Sequence, residues 1–359
     1  MKLLQILYPG IGGHSSVAFS LIEGDSHHEV AHSLLGYGIE SPSGNFLLKS
    51  KELKVPVTTV QKVQGFDFKS LRQIYSELKK IKPDAIIMHS TAVIVIVWWY
   101  CLWNKAKFIS VEHQSNNAKT KKDWVYSILI LLLSPKVVYL TTSYADEIKT
   151  KFKILYRPRR IKVINNGINI KKFRPKNESD NNERITFSMV SRMNALRDHK
   201  TLIDAFCKLE EGNDYKLILA GDGDTREELE EHVNKKKQKD KIIFTGNINE
   251  SSVIDLIHNT DIYIHSSLAE TLSTSLLQVM ACKVPIIATD IPGINNLLVD
   301  GMDALLFKPK EVVNLKEKIK KLLENSELSN KIASNAYIKV IENYSCTIMF
   351  EKYKDILKE

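Results

Sequence analysis

The chain of 359 residues lacks several features that would assign it to familiar classes of protein. It has four cysteines and no CxxC pair, which favours buried thiols in a reducing compartment over disulfides or a cysteine-bound metal. The apolar run at residues 92–103 is 12 residues long, whereas a membrane-spanning helix needs about 20. The glycine turn after the first strand is not a GxGxxG fingerprint, which disfavours NAD, and no signal peptide is evident at the N-terminus.

The composition is that of a soluble globular protein, with 43% hydrophobic and 26% charged residues. The length allows two domains, each with its own core. Apolar strands alternate with helical patterns along the whole chain, which predicts an α/β fold with parallel sheets.

The net charge of +9 is concentrated in the first half of the chain. Residues 1–165 contain 23 Lys and Arg against 12 Asp and Glu, whereas the remainder contains 28 against 30. This excess favours an anionic partner such as nucleic acid, phosphorylated lipid or a membrane surface; charge that serves only solubility is the alternative. The aromatic run at 92–103 predicts either a buried helix or a helix at a membrane interface, and residues 119–136 join a basic start to an apolar body.

Residues 261–306 read as a strand, a polar loop, a helix and a second strand. Ser273 and Thr274 suit the start of the helix, whose free N–H groups and dipole favour a bound phosphate. Glu270 lies in the loop, and Gln278 lies about one turn into the helix. The stretch could therefore hold a nucleotide diphosphate and sugar hydroxyls, or it could be an ordinary βαβ unit with a surface glutamate.

Two further sets of residues follow predicted strands. Arg192 and Arg197 lie after the strand at 185–190, where two guanidinium groups suit a pyrophosphate; solvated surface charges are the alternative. His113 follows the strand at 107–111, at the carboxyl end where open α/β sheets bind ligands. A core or capping histidine is the alternative there.

Several of these stretches carry the motifs of a known family. Residues 279–307, VMACKVPIIATDIPGINNLLVDGMDALLF, resemble the C-terminal signature of the family 4 retaining glycosyltransferases, E-x7-E followed by A-M-A-x-G-x-P-V-[IV]-A-T. Glu270 matches the first acid, but Gln278 stands at the second and Lys283 at the glycine. The stretch SRMNALRD is similar to G-R-[LM]-x-x-x-K-G, with Arg192 at its arginine and Arg197 in place of its lysine.

The resemblance implies the GT-B architecture, in which two Rossmann-like domains face a central cleft. Gly221 lies in a stretch similar to the family's L-x-x-x-G-D-G, and Gly246 ends one similar to V-x-F-x-G. We expect an acceptor-binding domain at 1–168, a nucleotide-sugar-binding domain at 184–340, and a C-terminal helix at 341–359 that crosses back to the first domain. The polar stretch at 176–183 is the predicted linker.

The implied function is transfer of a sugar, with retention, from a nucleotide diphosphate sugar, UDP favoured, to a saccharide or polyprenyl-diphosphate-linked saccharide in bacterial surface-polysaccharide assembly. Arg192 and Arg197 would stabilise the departing diphosphate, while Glu270 and His113 would contact the donor sugar and Gln278 the ribose. The expected N–H donors and nearby donor-binding positions are Gly12, Gly13, Gly221, Gly246, Ser273 and Thr274. No metal is expected, because the family does without one, and His27, His28 and His32 lack acids or cysteines at ligand spacing.

The expected location is cytoplasmic, at the periphery of the inner membrane face, with no nucleic-acid partner. Three alternatives stay open. A catalytically silent nucleotide-sugar-binding protein would bind a donor without turnover, and a membrane scaffold would bind lipid whether or not Arg192 is present. A sugar-nucleotide epimerase of the same architecture would differ in its product.

Overall fold

The computed structural model describes residues 1–10, 13–65, 67–176, 184–209 and 214–359. The chain divides into two compact units: unit 1 is Met1–Asn169 with Ser345–Glu359, and unit 2 is Ile170–Tyr344. The segment that returns to unit 1 thus begins at Ser345, a few residues after the expected 341. Residues 177–183 of the predicted linker lie outside the described residues.

Unit 1 is built on a sheet that, in the described residues, has seven strands in the order β3-β2-β1-β4-β5-β6-β7, all parallel. Parallel sheets are covered on both faces, which is why the central strands β1 and β4 read as largely apolar runs. The strands are β1 Lys2–Leu7, β2 Ala31–Gly38, β3 Val57–Gln61, β4 Ala85–Met88, β5 Lys107–Glu112, β6 Lys136–Tyr139 and β7 Ile161–Val163.

The helices of unit 1 include one from the end of the chain. They are α1 Gly13–Gly24, α2 Gly44–Glu52, α3 Phe68–Ile81, α4 Ile94–Asn104, α5 Lys121–Leu133, α6 Thr142–Lys151 and α14 Cys346–Lys358, with short 3-10 turns at Thr91–Val93, Asn116–Ala118 and Pro158–Arg160. The apolar run, predicted as either a buried helix or a helix at a membrane interface, is buried on one side only. Val97 and Tyr100 of α4 pack in the core, whereas Trp99 and Trp103 are exposed. None of the described helices is both long enough and apolar enough to cross a membrane.

Unit 2 repeats the plan with a second parallel sheet, six-stranded in the described residues, in the order β10-β9-β8-β11-β12-β13. Its strands are β8 Ile185–Val190, β9 Tyr215–Ala220, β10 Ile242–Gly246, β11 Ile262–His265, β12 Ile286–Thr289 and β13 Leu305–Phe307. Its helices are α7 His199–Phe206, α8 Arg226–Lys235, α9 Glu250–His258, α10 Thr274–Ala281, α11 Pro292–Asn295, α12 Val312–Glu324 and α13 Ser326–Asn343. The predicted α/β class with parallel sheets is confirmed.

Each sheet reverses its strand order once, between β1 and β4 in unit 1 and between β8 and β11 in unit 2. Open α/β sheets bind ligands outside the carboxyl ends of the strands at such a reversal. The loops that follow these four strands are therefore the places where functional side chains are expected.

Candidate functional site

The loop after β11 holds a buried acid in contact with an arginine and a histidine. The Glu270 side chain is 9% exposed, and its Oε2 lies 3.0 Å from Arg197 Nη2 and 3.2 Å from His265 Nε2. Arg197 Nη1 also donates to Ser267 Oγ, at 2.7 Å, and to the Ala269 carbonyl. We call this group (Arg197, His265, Ser267, Ala269 and Glu270) the carboxylate site. It joins the β8–α7 loop, which carries Arg197, to the β11–α10 loop.

Two opposing effects decide the charge of Glu270. Burial alone would raise the pKa of its carboxyl, but Arg197 and the hydrogen bond from His265 outweigh burial and lower that pKa below its usual range. Burial also lowers the pKa of His265 despite the neighbouring carboxylate. At neutral pH the site therefore holds an ionised Glu270, a neutral His265 that donates through Nε2, and a charged Arg197.

Gly293, at the start of α11, allows close packing against this loop. A Cβ atom added to Gly293 would lie 1.9 Å from the Glu270 carbonyl oxygen, closer than two such atoms can approach. Only glycine fits there without a backbone shift. The role of Gly293 was not predicted from the sequence, although the residue lies within the quoted motif.

Helix α10 begins and ends with recognisable caps. Ser273 Oγ accepts from Leu276 N at 3.3 Å and Thr274 is the first helical residue, so the predicted helix start is confirmed. Gln278 lies half-buried on this helix. After the helix, Lys283 adopts φ of 59°, and Val284 N donates to the Val279 carbonyl, as in a Schellman motif. This left-handed position explains why the family motif has glycine where this chain has lysine.

Arg192 and Arg197, which were predicted to have the same role, have different surroundings in the structure. Arg197 is committed to the carboxylate site, whereas the Arg192 guanidinium is exposed and has no hydrogen bond or ion pair with any described residue. The loop that carries Arg192 packs against glycines of the next loop. A Cβ on Gly221 would lie 2.0 Å from the Ser191 carbonyl oxygen, and Gly221 N donates to the Gly246 carbonyl at 2.9 Å. Gly221 thus lets the two backbones pack closely, and the Arg192 side chain is exposed beside them.

Unit 1 gathers three histidines and a glutamine at its own strand reversal. His89 Nδ1 lies 2.8 Å from His113 Nε2, and His89 Nε2 lies 3.0 Å from Gln5 Oε1. The His14 ring packs on the His113 ring, with centroids 4.5 Å apart. We call these four residues the histidine cluster. Among the predicted donor-binding residues of this unit, Gly13 is the first residue of α1 and Gly12 lies outside the described residues.

Burial keeps the histidine cluster uncharged at neutral pH. It lowers the pKa of His14 to about 4, that of His89 to about 3, and that of His113 well below its usual range. Sequence reasoning found His113 but missed its partners. His89 follows β4 just as His113 follows β5, so the same rule about strand ends could have found it.

Comparison with known proteins shows which family the chain resembles. The family model for glycosyltransferase family 4 matches residues 11–172, and the model for glycosyl transferases group 1 matches residues 169–339. The chain is a family 4-like glycosyltransferase. Its two parallel-sheet units make the predicted GT-B fold.

Relatives and solved structures agree with this assignment. The glycosyltransferase is 27% identical over 316 residues to the glycosyltransferase MJ1069 of Methanocaldococcus jannaschii, which covers 82% of this chain and 79% of that protein. It is 23% identical over 311 residues, covering 81% and 79%, to the Escherichia coli UDP-Gal:alpha-D-GlcNAc-diphosphoundecaprenol alpha-1,3-galactosyltransferase. The Anabaena protein HepE, solved with UDP and glucose, aligns over 100% of both chains with a TM-score of 0.85 and 17% identity.

Proposed function

We propose that this glycosyltransferase moves a hexose from a UDP-sugar to a hydroxyl of a saccharide or lipid-linked saccharide, with retention of configuration. The observation that carries the proposal is the carboxylate site. It places an ionised, buried acid beside a capped helix N-terminus at the strand reversal of unit 2. The UDP complex of HepE and the donor named for the Escherichia coli relative favour UDP.

The contacts divide the work among the residues of unit 2. Glu270 is acceptor-only and buried, which suits hydroxyls of the donor sugar. Arg197 already neutralises Glu270, so Arg192 is the cation of this loop that remains for the diphosphate, together with the N–H groups at the start of α10. Gln278 stands where the family has the acid that binds the ribose, and an amide can both donate to and accept from a diol.

The first test is binding of the donor by unit 2. We expect UDP-sugars to raise the melting temperature of the wild type, and Arg192→Ala to lose most of that shift, because charge-assisted hydrogen bonds contribute about 1.5–3 kcal/mol each. The matched control is Arg184→Ala, since Arg184 pairs with Asp214 just before β8 begins, whereas Arg192 follows the end of that strand. Equal shifts of melting temperature in both variants would contradict a role for Arg192 in donor binding.

The second test is the product. We expect a new glycoside with the anomeric configuration of the donor, detected by NMR, and unchanged rates in EDTA because no metal is proposed. Donor binding without turnover would instead favour a silent binding protein, and an altered UDP-sugar without transfer would favour an epimerase. An inverted anomeric centre would refute retention.

We further propose that the acceptor is presented at the inner membrane face in surface-polysaccharide assembly. Val95, Trp99, Leu102 and Trp103 form an exposed stripe along α4, next to α5, which begins with the exposed Lys121 and Lys122. Aromatic side chains beside lysines suit an anionic lipid surface. We expect co-sedimentation with anionic but not with neutral vesicles.

Two variants test whether vesicle binding depends on this stripe or on exposed apolar side chains in general. Trp103, 71% exposed, is changed to serine, and Ile154, 94% exposed and outside α4, gives the matched Ile154→Ser control. Only Trp103→Ser should weaken vesicle binding. Vesicle binding that Trp103→Ser leaves intact would refute the docking of α4.

A further inference from the structure

The histidine cluster contains a hydrogen-bonded chain whose protons can be assigned one after another. It starts at Gln5, which is fully buried in β1 and whose Nε2 donates to the Ala18 carbonyl at 3.3 Å. A carbonyl oxygen only accepts, so this contact fixes the amide orientation and turns Gln5 Oε1 toward His89 Nε2. Because Oε1 also only accepts, His89 Nε2 carries the proton.

The same logic passes to the next ring. A neutral imidazole has one N–H, so His89 Nδ1 is unprotonated and accepts from His113 Nε2 at 2.8 Å. Burial keeps both rings neutral by lowering the pKa of His89 to about 3 and that of His113 well below its usual range. His113 is left with an unprotonated Nδ1, and no described residue hydrogen-bonds to that atom.

We propose that Gln5 and His89 are positioning residues that hold His113 as its Nε2–H tautomer, so that its Nδ1 accepts a hydrogen bond from substrate. This inference rests on the proposed function and adds which substrate group His113 recognises: a hydroxyl or an N–H, not a carbonyl or ether oxygen. The His14 ring, packed on His113, further limits the plane in which that lone pair points.

The hydrogen-bonded chain predicts that a substitution at Gln5 changes the tautomer of His113, although Gln5 is linked to His113 only through His89. Gln5→Met keeps the side-chain length but removes the acceptor, which would leave His89 Nε2–H as a buried donor without a partner. Moving the proton to His89 Nδ1 leaves only an unpaired acceptor, which proteins tolerate more readily. His89 would then donate to His113, and His113 would present Nδ1–H to the substrate.

The test is two-bond ¹H–¹⁵N NMR of the full chain labelled with ¹⁵N-histidine, without nucleotide and near pH 7, with His113→Gln to assign the signals. We expect the wild type to show His113 protonated at Nε2 only. Gln5→Met should shift the population toward Nδ1–H and lower kcat/KM about tenfold or more, since an unpaired buried group is costly. Gln5→Glu, whose carboxyl burial keeps protonated, retains a donor for the Ala18 carbonyl and an acceptor for His89, and should restore both the tautomer and part of the lost kcat/KM.

The matched control is Ser110→Ala, which removes a buried hydroxyl of β5 that bonds Ser134 rather than the cluster. It should leave the His113 tautomer unchanged. A wild-type His113 protonated at Nδ1 would overturn the proposal, as would a wild-type tautomer in Gln5→Met. The wild-type spectrum decides the first point even if Gln5→Met does not fold. It is also independent of donor binding by unit 2, so failure of the proposed function would show separately.

Discussion

Replacement by methionine should lower the stability of the protein at Arg197 but only donor binding at Arg192. Arg197 is the cation paired with Glu270 at 3.0 Å, and the two side chains are 22% and 9% exposed. Removal of one partner from a buried pair costs about 3–5 kcal/mol, and partial exposure of Arg197 favours the lower end, about 3 kcal/mol. Arg192→Met removes no hydrogen bond or ion pair with a described residue and should leave stability unchanged while donor binding falls.

The pH dependence of Arg197→Met identifies the cause of its lost stability. In the wild type the pKa of Glu270 is lowered, so its contribution to stability is present above the unfolded pKa of about 4.3 and lost as pH falls through the folded pKa. Without Arg197 we expect burial to raise that pKa instead, so that the charged Glu270 destabilises the variant at neutral pH. This deficit should shrink as acid protonates the carboxyl.

Urea unfolding of wild type and variant at several pH values between about 4 and 8 measures the difference. Arg197→Met with Glu270→Gln should be more stable at neutral pH than Arg197→Met alone, because no unpaired carboxylate remains. A deficit below about 1 kcal/mol, or one that does not change with pH, would refute the view that Arg197 acts mainly by neutralising Glu270.

Three further predictions use other parts of the structure. Gly293→Ala should lower the melting temperature and the donor affinity, because the added Cβ would overlap the Glu270 carbonyl. The control is Gly44→Ala, whose Cβ would meet no atom within 4 Å, and equal effects of the two substitutions would contradict the steric explanation. Lys283→Gly should stabilise the protein against urea by up to about 1 kcal/mol by relieving the left-handed φ, and a loss of stability would speak against strain there. Since the pKa of His89 is lowered to about 3, its contribution to stability is complete above the unfolded pKa of 6.5 and is lost as pH falls from 6.5 toward 3. The free energy of unfolding should therefore depend less steeply on pH in His89→Asn, by at most about 1.4 kcal/mol per pH unit.

The sequence predicted the fold well because its signals are local. Continuous apolar strands such as β4, Ala85–Met88, indicate a parallel sheet without knowledge of their partners, and the bounds of β8, Ile185–Val190, match the predicted strand. The cap at Ser273 is likewise a contact between residues three apart. These features depend on neighbours in the chain, which a single sequence displays.

The site was harder to predict because its contacts join distant residues. Gln5 and His89 are 84 positions apart, and Arg197 reaches Glu270 from another loop. The sequence showed two arginines suited to a pyrophosphate, but only the fold shows that one of them neutralises a buried acid. Charge can be counted from the sequence, whereas the choice of partner depends on how the chain packs.

The return of α14 to unit 1 has a consequence for the order of folding during synthesis. Ser345, which caps the start of α14, pairs with Ile168, and Cys346 packs against Gly24. Lys107 donates to the last carbonyls of the helix. Unit 2 is continuous, so a growing chain can complete it while unit 1, although begun earlier, still waits for this helix. A ribosome carrying the nascent chain should thus display a protease-resistant second half before the first half becomes resistant.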